Sequence, residues 1–573
     1  MKQQRQVNRN PVRFVKRGWH FLLATLACLC TLVSAPVIVF AQTAQVDALF
    51  AGWNKPDSPG CAVGVIQNGK LVFQRGYGMA TLEHNVPLAA DTVFYIASTS
   101  KQFTAMSVAL LVTQGRLALT DDIHKYVPEL PRWNHPVTVG HLVYHTSGIP
   151  DFFALTPLSG RRLEDTATDE DILALLARQK TLNFQPGEQF QYSNSGYFLL
   201  GVIVSRVTGK SLRAFAEEAL FAPLGMRNTH FHDDRTMIVP KRATGYVPSA
   251  GGFSIFATLF DRVGDGGVMT TIEDLVKWDQ NFYDAKVGGK AMIDLALTPG
   301  TLNNGSKLDY AFGLFVREYR GLLQVSHGGI YNGFRADLIR FPAQKFSVAC
   351  LCNLYSIDVS KLAQRVADLY LAGQYTKPEP VETLLPAITL TTEQLQQRVG
   401  TYFAPDSGTV INLRLAEGKI VAAIPGGGIL NQQLIPIRAN QFKATNSLRS
   451  NFEFAEGTTP SALRVQLLPG IGQPTFSFVP AEAVSPDEKQ LMEYAGRYYS
   501  AALDATYEVT VKEGSVVLQY RNTAPKKLLP TVRDSFSVGG FNYVFTRDAQ
   551  QKLNGFYLSD VIGRIRKIPF IRQ

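Results

Sequence analysis

Cysteine is scarce in this chain, which carries five among 573 residues. Cys28 and Cys30 lie in an apolar N-terminal stretch, so the body of the protein has only Cys61, Cys350 and Cys352. Exported domains that depend on disulfides carry cysteine in larger and usually even numbers. The sequence therefore predicts no disulfide framework. Cys350 and Cys352 alternate along a strand-like segment, which predicts two small core side chains.

Long runs of one charge are also missing. The formal net charge is +10, but six basic residues precede the N-terminal apolar stretch and the remainder has an excess of only +4. This weak excess, without a basic block, argues against nucleic acid as a partner. The sequence also has no convincing motif for a metal or an organic cofactor. Its 46% hydrophobic and 18% charged residues exclude bulk disorder and are typical of folded domains.

Residues 1–41 are predicted to be a signal peptide. A basic segment precedes an uncharged apolar run from Trp19 to Phe40, and Val39-Phe40-Ala41 places small residues where a signal peptidase cleaves. The run is also long enough to span a bilayer, so an uncleaved anchor in the inner membrane is the alternative. Both interpretations predict an exported protein, periplasmic or secreted, which has no lasting membrane contact if the leader is cleaved.

Residues 42–376 have the pattern of one mixed domain. Strand-like segments at both ends, with helical patterns between them, predict an antiparallel sheet assembled from the two termini, flanked by helices and a helical lobe. This is an α+β architecture. The predicted segments are the hairpin Cys61–Phe73, the helices Ser98–Gln114, Asp171–Arg178, Ser195–Val207 and Ile272–Phe282, and the strands Ala311–Arg317, Gly321–Ser326, Arg335–Phe341 and Phe346–Cys352.

An all-β pattern follows a proline-rich link at residues 377–380, and it repeats after 96 residues. A repeat of this length indicates a duplicated domain. The short alternating strands predict two small lipocalin-like β-barrels, at residues 390–482 and 486–573. The recurring pairs are Gly400-Thr401-Tyr402 with Gly496-Arg497-Tyr498, and Glu417-Gly418 with Glu513-Gly514.

Ser98 and Lys101 lie at the start of an apolar helical segment, three residues apart. This spacing puts both side chains on one helix face. A serine hydroxyl is a weak nucleophile until a base removes its proton, and a lysine becomes such a base when burial lowers its pKa. The N–H of Ser98 at the helix start is also suited to hold an oxyanion. The spacing alone is common by chance, so the pair needs support from other motifs.

Two further motifs supply that support. Tyr192 and Asn194 lie just before a predicted helix, where the tyrosine would pass a proton to the leaving group and the asparagine would hold the lysine and a substrate amide. In a strand further along, the backbone near Gly329 and Ile330 would offer a second oxyanion donor, because glycine permits close approach.

Two residues in or near this strand motif are candidates for binding a charged group of the substrate. His327 would add a hydrogen bond or a charge, either for a substrate carboxylate or for the proton network. Arg335 is either a bidentate partner of a substrate carboxylate or a surface arginine on a strand.

The order Ser-x-x-Lys, Tyr-x-Asn and His-x-Gly resembles the serine β-lactamase and penicillin-binding protein superfamily, on its class C side. The resemblance implies an acyl-enzyme mechanism with Ser98 as nucleophile, Lys101 and Tyr192 as the base system, and the N–H groups of Ser98 and Ile330 as oxyanion hole. It is carried, in the family's order over most of residues 43–370, by Ser98 to Thr104, His145-Thr-Ser-Gly-Ile-Pro150, Pro186-Gly187, Tyr192 to Tyr197, Pro223-Leu-Gly-Met226 and Gly266-Gly267.

One position departs from the class C pattern, because His327 replaces the lysine of true class C enzymes. Histidine there, together with two C-terminal β domains, is similar to the esterase and D-aminopeptidase branches. The resemblance therefore implies a hydrolase of small peptides or esters, most plainly of D-amino-acid peptides such as those derived from cell walls. A slowly acylating sensor or scaffold and a weak class C-like β-lactamase are the alternatives. A further hypothesis, prompted only by the attachment of the β domains, is that they lend a loop to the cleft and restrict it to short substrates.

Overall fold

A computed structural model describes residues 42–161, 165, 167–256, 261–378, 388–427, 431–444, 450–455, 462–467, 475–521 and 523–573. The predicted signal peptide and part of the proline-rich link lie outside these residues. Within the described part of the chain, no helix has both the length and the apolar character needed to cross a bilayer.

A six-stranded antiparallel sheet forms the centre of the first domain, and its strands come from both ends of that domain. Asn68 and Gly69 both adopt left-handed backbone angles (φ 51° and 74°), which is the two-residue turn that joins the first two strands. The predicted hairpin and α+β class are confirmed. The strand order is Phe315–Tyr319, Leu322–Tyr331, Phe334–Phe341, Phe346–Cys352, Cys61–Gln67 and Lys70–Tyr77.

Helices cover both faces of this sheet, whose central strands are buried along almost their whole length. A helix over residues 42–50 and the helix Val359–Leu371 share one apolar core with one face, and the helical lobe covers the other. The helices of the lobe are Lys101–Thr113, Val139–Val143, Phe152–Leu158, Asp169–Ala177, Asn194–Thr208, Leu212–Ala216, Ala222–Leu224, Ile272–Asp284 and Gly289–Ala296.

The helix that follows the nucleophile begins later than predicted. Ala97–Ser100 form a 3₁₀ turn, and the α-helix runs over Lys101–Thr113. Nearly every residue of this helix is buried, as expected for a helix that is apolar on all sides. It therefore forms the core of the lobe and gives Lys101 a buried position.

The prediction that no disulfide supports the fold is wrong. Cys61 and Cys352 are paired in register on adjacent strands, and their sulfurs form a disulfide across a sequence separation of 291 residues. The sequence could not predict this pair, because only the sheet topology brings the two ends of the domain side by side. Cys350 is a free buried thiol, in agreement with its prediction as a core residue.

The C-terminal third of the chain consists of two β domains, as predicted. The first is a closed barrel of eight strands between Gly400 and Ala481, and the second is a nine-stranded antiparallel sheet between Gly496 and Arg572. The strands are Gly400–Phe403, Val410–Ala416, Lys419–Ala423, Asn431–Arg438, Gln441–Ala444, Asn451–Phe454, Leu463–Gln466 and Thr475–Ala481, then Gly496–Ser500, Ala505–Lys512, Ser515–Gln519, Lys526–Lys527, Leu529–Pro530, Ser535–Val538, Phe541–Arg547, Leu553–Asp560 and Ile568–Arg572.

The predicted duplication is confirmed in local detail. Each copy opens with a short helix, Thr392–Gln396 or Glu488–Met492, that carries a capping box. In each copy the tyrosine of the repeated motif donates a hydrogen bond to the carbonyl four residues earlier: Tyr402 Oη to Arg398 O at 3.0 Å and Tyr498 Oη to Tyr494 O at 2.8 Å. Both domains therefore fix their first strand to the turn after the preceding helix in the same way.

Candidate active site

Ser98 lies in the tight turn between the strand Phe94–Tyr95 and the helix Lys101–Thr113. Ala97, directly before it, has a left-handed φ of 47°, a conformation that costs a residue other than glycine about 1 kcal/mol. Ala97 and Thr99 are buried, whereas Ser98 is partly exposed. The turn thus presents the Ser98 hydroxyl to solvent from an otherwise buried segment.

Lys101 is fully buried beneath this serine, with three oxygen atoms around its Nζ. The distances are 3.1 Å to Ser98 Oγ, 2.9 Å to Asn194 Oδ1 and 2.6 Å to the backbone oxygen of Asp265. A neutral amine has two N–H donors and one lone pair. In the neutral form of Lys101, the Asn194 and Asp265 oxygens, which only accept, take the two donors and leave the lone pair for the Ser98 hydroxyl.

The pKa values of the two predicted base residues separate their roles. Burial lowers the pKa of Lys101 to about 8, against the opposing effect of the Asp265 and Asp151 carboxylates. Burial raises the pKa of Tyr192 well above its usual value, although contact with Ser98 acts in the other direction. Near neutral pH, Lys101 thus has an accessible neutral form, while Tyr192 remains a protonated phenol. The geometry favours Lys101 as base and Tyr192 as a proton carrier.

Asn194 begins the helix Asn194–Thr208 and is fixed in orientation by Asp151, a residue that the sequence did not single out. Asp151 Oδ2 accepts hydrogen bonds from Asn194 Nδ2 at 3.0 Å and from the Asn194 backbone N at 3.1 Å. Asp151 directly follows the His145 to Pro150 motif. Its position next to that motif was the signal by which the sequence could have identified it.

A buried ion pair supports the other acceptor of Lys101. Arg262 Nη1 lies 3.0 Å from Asp265 Oδ1 and 3.2 Å from Oδ2, and the guanidinium also stacks on Phe152 and Phe153. The pair fixes the loop whose Asp265 carbonyl accepts from Lys101. Neither residue was predicted, because only the neighbouring Gly266-Gly267 belongs to a recognisable motif.

The strand Leu322–Tyr331 runs directly beside the nucleophile turn. Thr99 Oγ1 donates to the backbone oxygen of His327 at 3.1 Å, and a Cβ on Gly329 would lie 2.2 Å from the oxygen of Ile96. Glycine is therefore required for this close approach. Ile330 lines the same cleft as Ser98, which agrees with its predicted position; its role as oxyanion donor stays a prediction.

His327 is buried and neutral, so the structure does not support its predicted role as a charged substrate partner. Burial, followed by the charge of Lys101, lowers the pKa of His327 to about 3. Its Nδ1 lies 2.7 Å from Gly328 O and its Nε2 lies 3.1 Å from Tyr310 Oη. Because a carbonyl only accepts, Nδ1 carries the proton and Nε2 accepts from the tyrosine. His327 thus serves the hydrogen-bond network behind the strand.

Arg335 is neither a surface arginine nor a residue of the cleft wall. Its guanidinium is stacked 3.8 Å from the ring centroid of Tyr355 and donates to the Phe334 backbone oxygen at 3.1 Å. Tyr355 does line the cleft. The contacts of Arg335 therefore make it a support for a cleft aromatic residue rather than a direct partner of a carboxylate.

The cleft above Ser98 is a cavity of about 420 Å³, and its wall includes residues of the second β domain. Tyr192, Asn194 and Asp265 line it near the nucleophile, whereas Phe541 and Arg564 contribute from the C-terminal domain. No sequence pattern indicated either of these two residues. The hypothesis that a β domain lends a loop to the cleft agrees with this arrangement.

The contributing loop, residues 560–567, is attached to the first domain by several hydrogen bonds. The Arg564 backbone oxygen accepts from the backbone N of Asp151 at 3.0 Å and from Asn183 Nδ2 at 2.9 Å. Asn183 Oδ1 accepts in turn from the Arg566 backbone N at 2.9 Å, and Gln191 Nε2 donates to Gly563 O. These bonds hold the loop against both the Asp151 segment and the segment before Tyr192.

A profile of the family described as Beta-lactamase matches residues 46–371. The chain belongs to the beta-lactamase family. Penicillin-binding protein 4* of Bacillus subtilis (strain 168) is 30% identical over 66% of this chain and 86% of its own length. A D-aminopeptidase of Brucella anthropi is 26% identical over 88% of this chain and 94% of its own length.

Among solved structures, an octameric penicillin-binding protein homologue from Pyrococcus abyssi has a TM-score of 0.53 and 23% identity, covering 77% of this chain and 99% of its own. That similarity supports the fold. Together, the family match and the relatives confirm the predicted superfamily, its D-aminopeptidase branch and a serine hydrolase of the peptidase or esterase type.

Proposed function

We propose that this member of the beta-lactamase family is an exported hydrolase that cleaves amide bonds in short peptides containing D-amino acids, through an acyl-Ser98 intermediate. The observation that carries the proposal is the contact of 3.1 Å between Nζ of the fully buried Lys101 and Ser98 Oγ. Relatives named D-aminopeptidase that extend over 88% of the chain support the choice of substrate.

In the acylation step, Ser98 Oγ forms a bond to the substrate carbonyl carbon and its proton passes to Lys101 Nζ. The N–H groups of Ser98 and Ile330 hold the resulting oxyanion. When the intermediate collapses, the C–N bond breaks and the amine leaves with a proton returned from Lys101, directly or through the Tyr192 hydroxyl. The products of this half-reaction are the free amine and an ester on Ser98.

In the deacylation step, water attacks the ester carbonyl while Lys101, neutral again, accepts its proton. Collapse breaks the bond to Ser98 Oγ and returns the proton to that oxygen. The acid product leaves and the enzyme is restored. The buried position of Lys101, with a pKa of about 8, makes the same amine available in both steps.

Restriction to short substrates is supported by the size of the cleft and by its wall. The cavity of about 420 Å³ is at the small end of the range for ligand sites, and the loop at residues 560–567 forms part of its wall. Export is supported by the leader pattern of residues 1–41 and by the disulfide between Cys61 and Cys352, because such bonds persist mainly in oxidising compartments.

Intact-protein mass spectrometry with a fluorophosphonate tests the nucleophile, followed by kinetics on N-acyl dipeptides of D-residues and their L-counterparts. We expect one adduct on Ser98, turnover of the D-substrate, and loss of both in Ser98→Ala. Ser107→Ala is the matched control, since that hydroxyl is bonded to Phe103 O within the same helix. Labelling without turnover would instead favour the slowly acylating sensor. Turnover that survives in Ser98→Ala would refute the proposal.

A further inference from the structure

The charged groups around the cleft differ in whether they are available to a ligand. Among the described residues that line the cavity, Asp265 and Arg564 carry charged side chains. Both carboxylate oxygens of Asp265 are bonded to Arg262, and its side chain is only 4% exposed. The side chain of Arg564 is 35% exposed. The available charge in this wall is therefore positive.

Arg564 is fixed at its base while its terminal nitrogens remain available. Its Nε donates to Asp560 Oδ2 at 2.8 Å, and no other hydrogen bond of its side chain is found in the described residues. Asp560 is itself fixed, since its Oδ1 accepts from the Ile565 backbone N at 3.2 Å. A guanidinium held through Nε presents Nη1 and Nη2 as a fork, which matches the two oxygens of a carboxylate.

The backbone of Arg564 is held just as firmly as its side chain. Its oxygen accepts two hydrogen bonds from the first domain, and Gly563 before it has a φ of 77°. A Cβ on Gly563 would lie 2.7 Å from Phe476 Cζ of the first barrel. A preorganised cation costs little ordering entropy when it binds a ligand.

We infer that Arg564 is a substrate-binding residue that pairs with a carboxylate of the substrate, so that the preferred peptides carry a free carboxylate near the scissile bond. The inference rests on the proposed hydrolase function and specifies its substrate class. It also distinguishes this chain from an enzyme that selects a free α-amine. Among the described residues at or behind the cleft, Asp151, Asp265 and Asp560 are all buried and hydrogen-bonded, so none of the three presents a free carboxylate to an ammonium group.

The charge of Arg564 persists in this partly buried place. Burial acts against it, but the carboxylates of Asp560 and Asp151 outweigh that effect and raise the pKa of Arg564. The cation is therefore present throughout the pH range in which Lys101 can act.

The test compares two N-acyl dipeptides of D-residues that differ only at the C-terminus, one a free carboxylate and the other its carboxamide. With the wild-type full chain we expect kcat/KM to be about 10- to 100-fold higher for the carboxylate, the range of a charge-assisted hydrogen bond. In Arg564→Gln this ratio should fall to near one, and Arg564→Lys should keep part of it.

Arg566→Gln is the matched control. It lies on the same loop but bonds to Gln189 and does not line the cavity, so its ratio should equal that of the wild type.

A second measurement separates this inference from the proposed function. If Ser98 is labelled by the fluorophosphonate but neither dipeptide is hydrolysed, the proposed substrate is wrong, and protection from labelling then tests Arg564. The carboxylate dipeptide should slow labelling more than the carboxamide does in the wild type, and equally in Arg564→Gln. If the wild type shows equal kcat/KM for the two dipeptides, or equal protection by them, the inference is overturned whether or not the variants fold. The inference is also overturned if Arg564→Gln retains the preference for the carboxylate.

Discussion

The carboxylate of Asp151 holds Asn194 by both the backbone and the side-chain nitrogen, at 3.1 and 3.0 Å. Because the amide nitrogen is directed at Asp151, the amide oxygen faces Lys101 Nζ, 2.9 Å away. The backbone N of Asp151 donates to the oxygen of Arg564 in the second β domain. A continuous series of hydrogen bonds therefore joins the C-terminal loop to the base beside Ser98.

Removal of the Asp151 carboxylate should weaken catalysis more than folding. In Asp151→Ala, Asn194 loses its fixed orientation, and we expect kcat to fall about 10- to 100-fold. Since the carboxylate also raises the pKa of Lys101, the acidic limb of the pH profile of kcat/KM should move to lower pH. Steady-state kinetics between pH 6 and 10 measure both effects.

Asp358→Ala is the control for this variant. Asp151 caps the helix Phe152–Leu158, where its Oδ1 accepts from Phe153 N at 2.8 Å. Asp358 likewise caps a helix through its side chain, which accepts from Lys361 N at 3.1 Å, but it lies on the other face of the sheet. Each substitution should cost about 1 kcal/mol of stability through the lost cap. A pH profile of Asp151→Ala identical to that of Asp358→Ala would show that Asp151 has only a structural role.

The acidic limb of the wild-type profile should report Lys101. The base must be neutral, and a lysine with a pKa of about 8 is mostly protonated below that pH. On an uncharged ester, kcat/KM should therefore rise about tenfold per pH unit up to pH 8 and then level off. His327 should not contribute a limb near its usual value, because its pKa lies at about 3. A plateau that extends down to pH 6 would contradict the assignment of Lys101 as base.

The sequence was informative where a short segment carries the chemistry. Ser98 and Lys101 share one helical turn, and Asn194 follows Tyr192 at a helix start. The sequence spacing alone therefore determines where these side chains lie relative to one another within each pair. The residues that it missed act across long separations. Asp151, Asp265 and Arg564 become part of the site only when three distant segments meet, and the register of the sheet alone places Cys61 opposite Cys352.

The same limit explains the two partly mistaken roles. Arg335 was placed correctly on a strand, and His327 was placed just beyond the predicted strand Gly321–Ser326, whereas the observed strand continues to Tyr331. The direction in which either side chain points depends on what packs behind the strand. Tyr310 accounts for the position of His327, and Tyr355 for that of Arg335. Neither tyrosine is close in sequence to a motif of the site.

Loss of the disulfide should lower stability without changing the site directly. The bond joins strands 291 residues apart, and closure of a long loop stabilises a fold by about 2–5 kcal/mol. We expect the double variant Cys61→Ala, Cys352→Ala to have a clearly lower Tm in calorimetry. Cys350→Ala, which removes the neighbouring free thiol, is the control and should retain the bond. An equal number of alkylated cysteines in the denatured wild-type protein with and without prior reduction would show that the bond is absent.

The loop of the second β domain should set the length of the substrate that the cleft accepts. Gly563 has a φ of 77°, and a Cβ there would collide with Phe476, so Gly563→Ala should displace the loop from the cleft. We expect kcat/KM for D-peptides of four residues to rise several-fold relative to that for dipeptides. The two substrates measured on one preparation give this ratio independently of the active fraction.

Gly540→Ala separates loop displacement from backbone strain. Gly540 has a similar φ of 82° in the same domain, but its Cβ would meet only Val561 Cγ2 at 4.0 Å. Both substitutions therefore impose a left-handed alanine, at about 1 kcal/mol each, while only Gly563→Ala adds a collision. If the length ratio changes equally in the two variants, strain in the domain explains it. If the ratio changes in neither while the Tm of Gly563→Ala falls, the loop closes the cleft without selecting substrates by length.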